Sequence, residues 1–123
     1  MILFDKSTPT LLAKHLVNEH IGAISLASYG FSLQIGDISI TCNEGVIASI
    51  EDAVHEWIEA PNGAPWGLLL RQQVVGVDLP RPDLLRISLK SGDYVEIQTV
   101  EGPYESVLVD FPRQGETIIM EVY

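Results

Sequence analysis

Among the 123 residues there is one cysteine, Cys42, no long apolar run and, from His15 to Leu70, not a single lysine or arginine. Each shortage excludes something. A lone cysteine closes no internal disulfide and agrees with a reducing compartment. No stretch approaches the roughly 18 apolar residues of a membrane-spanning helix. Met1-Ile2-Leu3-Phe4 is interrupted at once by Asp5 and Lys6, so a signal peptide is not expected and the expected location is cytoplasmic. No Gly-x-Ser-x-Gly elbow and no phosphate-cradling glycine loop occurs, so nothing specifies an enzyme. The shortage of bases is the strongest signal: seven Lys and Arg against 17 Asp and Glu give a formal net charge of −10. A phosphate backbone is bound by displacing counterions with a basic footprint, so a direct nucleic-acid partner is excluded.

What is present is ordinary for one globular domain spanning residues 1 to 123: 46% hydrophobic and 20% charged residues. The plainest pattern lies between Leu68 and Ile97. Leu85, Ile87 and Leu89 alternate with Arg86, Ser88 and Lys90; Ser91-Gly92-Asp93 breaks the run; Val95 and Ile97 alternate with Tyr94, Glu96 and Gln98. Two-residue periodicity around a glycine-containing break is a β-hairpin with one apolar and one wet face.

Upstream, Ser7-Thr8-Pro9 followed by Leu11, Leu12, His15, Leu16 and Glu19 predicts a helix over roughly residues 8 to 19, with Gly22 as its stop. Its narrow apolar stripe suits a helix lying on a sheet. Strands are predicted at Ile21 to Ala27, Phe31 to Ile35 and Ile38 to Cys42, the last two joined by Gly36-Asp37. Residues 44 to 60 fit helix and strand alike, and their alignment with the second half favours strand. After the Pro- and Gly-rich stretch Ala60 to Pro65, a short helix over Trp66 to Gln72 precedes strands at Val74 to Leu79, Leu84 to Lys90, Tyr94 to Val100, Ser106 to Phe111 and Glu116 to Val122.

The halves match in order. Phe31, Leu33 and Ile35 answer to Leu85, Ile87 and Leu89; Gly36-Asp37 answers to Gly92-Asp93; Glu44-Gly45 answers to Glu101-Gly102. An internal pseudo-repeat of about 8 to 60 and 65 to 123 is therefore expected. The expected fold is α+β and mostly antiparallel β-sheet, two similar helix-plus-β-meander halves packed on one core.

His15 and Glu19 stand one helical turn apart, but no motif places a third ligand, so no metal or cofactor is expected. His20 sits beside the helix end. His55 lies between Asp52 and Glu56, which favour its charged form. Cys42 sits on an apolar strand face in an acidic region, the setting of a buried core thiol rather than a nucleophile. Trp57 and Trp66 flank the Pro-Gly stretch as interface anchors or core plugs. Tyr104 is expected to cap the core.

Leu-x-Gln-x-Val-x-x-Val at Leu70 to Val77, Ser-Gly-Asp at 91 to 93 and Glu-Gly-Pro-Tyr-Glu-Ser at 101 to 106 resemble stretches of small bacterial proteins, some of which sit in toxin-immunity gene neighbourhoods. The resemblance covers about a third of the chain. It implies an immunity protein of the contact-dependent inhibition type, an acidic cytoplasmic protein that binds and blocks one toxin domain. Between His15 and Leu70, Glu19, Asp37, Glu44, Glu51, Asp52, Glu56 and Glu59 form an uncompensated negative field, which attracts a basic partner. Glu51, Asp52, Glu56, Trp57 and Glu59 are the expected partner-binding surface. Two alternatives stand beside this: a structural module forming homodimers or larger homo-oligomers through an open sheet edge or the Trp57 region, and a small-molecule binder or enzyme with a site between the halves.

Overall fold

A computed structural model describes residues 8–27, 30–42, 46–57, 65–98, 107–110 and 120–122. The helix α1 (Thr8–Leu16) comes first. Leu12 and Leu16, one turn apart, are buried, and Leu11 packs partly against the same core. The helix ends earlier than the sequence predicts. Asn18, not Gly22, stops it, turning left-handed at φ 75°. Asparagine tolerates that conformation because its short side chain bonds locally, and it serves as a C-terminal cap. Gly22 lies within a strand.

Among the described residues ten strands follow: β1 (Ile21–Ala27), β2 (Gly30–Ile35), β3 (Ile38–Cys42), β4 (Val46–Ile50), β5 (Ala53–Trp57), β6 (Val74–Arg81), β7 (Leu84–Leu89), β8 (Tyr94–Gln98), β9 (Val107–Asp110) and β10 (Met120–Val122). The segment 46 to 57 is thus two strands, as the alignment of the halves favours. Between β5 and β6, Trp66–Leu69 forms a 3-10 turn rather than a helix reaching Gln72. Pro80 and Arg81, expected in a loop, extend β6. An edge strand carries proline where its missing N–H is not needed by the ladder. Ser7, Tyr104, the Glu44-Gly45 and Glu101-Gly102 pairs and the predicted start of the last strand at Glu116 lie outside the described residues.

Among the described residues every pairing is antiparallel, in two five-stranded sheets of order β1-β2-β3-β9-β10 and β5-β4-β8-β7-β6. The halves are not separate sheets. Each three-strand meander, β1 to β3 or β6 to β8, is extended by the later hairpin of the other half. Period-two alternation explains the core between them: Phe31, Leu33 and Ile35 with Ile38, Ile40 and Cys42 from the first sheet, and Val46, Ala48, Leu85, Ile87, Leu89, Val95 and Ile97 from the second, form one buried cluster. Phe31 on β2 lies 5.7 Å from Trp57 on β5 and 5.3 Å from Trp66, ring centre to ring centre.

The sheets are also stitched at one corner. Asn18 N–H donates to the Val74 carbonyl at 2.9 Å, Val74 N–H to Glu19 at 2.8 Å, Ile21 N–H to Gln72 at 3.0 Å and Arg71 N–H to Ile21 at 2.8 Å. Among the described strands this leaves β5 and β10 as the far edges. Gly36 in the β2–β3 turn has φ +57°, which favours glycine, and a Cβ there would lie 3.0 Å from the Glu19 side chain, which would have to shift by a few tenths of an ångström.

Candidate functional site

The β4–β5 hairpin carries three of the acidic residues singled out above. With Ile50 opposite Ala53, Glu51 and Asp52 form a two-residue turn. Both central residues are left-handed, at φ 51° and 67°. That is the turn whose twist matches paired strands, and Asn-Gly is the sequence it favours. Here a glutamate and an aspartate occupy it, at a cost in backbone strain.

A buried carboxylate holds the tip in place. Glu51 N–H donates to Asp93 Oδ1 at 2.9 Å, across 42 positions in sequence. Asp93 Oδ2 accepts from Gln72 Nε2 at 2.9 Å, and the same Nε2 donates to the Leu68 carbonyl. Ser91 Oγ donates to Gln72 Oε1 and accepts from Asp93 N–H at 3.2 Å. Three loops therefore meet on Asp93: the β4–β5 tip, the lead into β6 and the β7–β8 turn. Gln72, Ser91 and Asp93 are the residues the sequence marks as motif and turn. Their part in fixing Glu51 is invisible there, because nothing local reports a bond between residues so far apart.

Glu51, Asp52 and Glu56 are exposed. Glu56 stands on the outer face of the second sheet, in a row that register fixes as Glu56, Ile47, Glu96, Arg86 and Asp78. The cation in that row is already engaged. Arg86 Nε and Nη2 donate to Glu96 Oε2 at 3.0 and 2.8 Å, and the guanidinium lies 4.5 Å from the Tyr94 ring centre. Hydrogen bonding to Glu96 raises the Arg86 pKa above its ordinary value. Glu96, expected on a wet face, is buried by this arrangement.

Trp57 departs from the expected surface. It pairs with Val46 and shares that residue's inward face, so its side chain is 0% exposed and belongs to the core. Its indole Nε1 is buried with no hydrogen-bond partner among the described residues. The hydrophobic gain of an indole packed on Phe31 outweighs surface anchoring here. His55 pairs with Ala48 and is half-buried rather than part of an open acidic run. Glu59 lies outside the described residues. Val54, not singled out by the sequence, is 65% exposed on the outer face beside Ser49.

Elsewhere, Cys42 is buried, and desolvation pushes its thiol pKa up strongly. Glu19 lies beyond the helix end rather than one turn after His15 within it. Among the described residues no group of three or more His, Cys, Asp or Glu is placed to hold a metal ion, and no helix is long and apolar enough to cross a membrane. No protein-family model, no curated protein and no solved structure matches the chain.

Proposed function

We propose that this is a cytoplasmic immunity-type protein that binds and neutralises a basic toxin domain through the acidic β4–β5 hairpin. The observation that carries the reading is the hairpin tip: Glu51 and Asp52 project from a left-handed turn that glycine or asparagine would adopt more readily, and Asp93 pins it. Strain that the surroundings actively maintain is a mark of functional sites. With Glu56 on the same hairpin and no lysine or arginine from His15 to Leu70, the hairpin itself carries charge of one sign. Such a surface accelerates encounter with a basic groove and discriminates against acidic competitors.

The exchange of hairpins between the two meanders supports, as part of this proposal, an origin of the chain in two similar halves. The function is tested by affinity capture in parallel with the wild-type protein and a Glu51→Lys, Asp52→Lys, Glu56→Lys variant. A basic protein retained stoichiometrically by the wild type, released by salt and lost with the variant supports neutralisation. Equal retention by both removes this hairpin from the account.

A further inference from the structure

Resting on that reading, we infer that the basic partner docks by adding an extended strand to the open edge of β5, its main chain bonded to Val54, an apolar side chain beside Val54 and a lysine or arginine beside Glu56. The two-residue turn fixes which main-chain groups face outward. Ile50 and Ala53 flank the turn as a hydrogen-bonded pair, and so, in the same phase, do Ala48 with His55 and Val46 with Trp57. The N–H and carbonyl of Val54 are therefore turned away from β4, towards the side where no described strand lies.

The other edges are blunted in the ways proteins use to prevent strand addition. β6 carries Pro80 and two register shifts, β1 has a shift between Ile21 and Ala23, and β10 has three residues. β5 has neither proline nor bulge, and its Val54 is the most exposed large hydrophobic side chain among the described residues.

Charge decides the occupant. A second copy pairing antiparallel about Val54 would set Glu56 of each chain opposite Asp52 of the other, and like charges directly opposite are destabilising. A strand with an apolar and a basic residue two positions apart, and so on one face, meets Val54 and Glu56 with complementary pairs. Main-chain bonds then give affinity and the alternate side chains give selectivity, as in strand addition generally.

The probe is a short capped peptide in which valine and lysine alternate at every second position, separated by threonines so that both lie on one face of the extended strand, read by fluorescence anisotropy. Its control is the same peptide N-methylated at alternate residues, which keeps the charge and removes the edge hydrogen bonds. Wild-type protein should bind the first at least about tenfold more tightly than the second, and Val54→Pro should lose the same factor, since the N–H it deletes faces away from β4. Equal binding of the two peptides overturns strand addition, even if Val54→Pro proves unfolded. So does an absence of binding to the unmethylated peptide. If both peptides bind equally but Glu51→Lys, Asp52→Lys, Glu56→Lys binds neither, the acidic surface survives and only strand addition falls. If that variant binds as the wild type does, both readings fall. Sedimentation of the protein alone adds the last arm: a monomer is expected, and a dimer dissociated by Val54→Pro would place a second copy on the edge and overturn the proposal.

Discussion

Asp93 shows how much of this molecule turns on one side chain. Its two carboxylate oxygens hold the Glu51 amide and the Gln72 side chain, both at 2.9 Å. Replacing Asp93 with alanine leaves those donors without their acceptor, and a stability loss of about 2 kcal/mol is expected in denaturant unfolding, with the β4–β5 tip loosened first. At Cys42 the consequence concerns pH. Burial raises the thiol pKa in the folded state, so the neutral form is the one the core accepts. The associated stability is complete below the unfolded thiol's ordinary value, near ~8.5, and declines as pH rises above it. Cys42→Val should remove that part of the alkaline slope, which parallel unfolding curves at neutral and alkaline pH will read.

The β4–β5 hairpin is where stability and binding are opposed. Changing Glu51 to asparagine together with Asp52 to glycine relieves two left-handed residues, and the folded state should gain about 1 kcal/mol. If the acids serve recognition, the same variant captures the basic partner less well. Equal stability or a loss would show that the turn is not strained. Much of this level was legible in the sequence. Strict alternation over 85 to 97 gave the β7–β8 hairpin and its buried aliphatic residues, and the likeness of the halves turned an ambiguous stretch into β4 and β5. The position of Trp57 was not, because whether it faces inward depends on its pairing with Val46 and hence on a turn without glycine that sequence rules do not anticipate. The helix end at Asn18 escaped for a related reason: a glycine lay nearby, and the residue that turns left-handed was the asparagine before it.

At the scale of the whole chain, alternation says which face of a strand is buried but not which strand lies beside it. Alternation over 31 to 42 therefore marks the inward set of β2 and β3 while giving no sign that β4 joins β8 instead of β3. The charge imbalance is equally a property of the whole molecule. It arises from seven bases against 17 acids, and Arg86, the cation of the second sheet's Asp78–Arg86–Glu96 row, is engaged within it. A field of this kind acts on association rate and salt dependence more than on the fold. The most direct test is the dissociation constant of the captured basic partner, measured between about 50 and about 300 mM salt, for the wild type and for Glu51→Lys, Asp52→Lys, Glu56→Lys. The account predicts wild-type affinity that falls steeply with salt, and a variant that unfolds at nearly the same temperature yet binds at least about a hundredfold more weakly at low salt. Affinity unchanged by the three substitutions, or indifferent to salt, would contradict it.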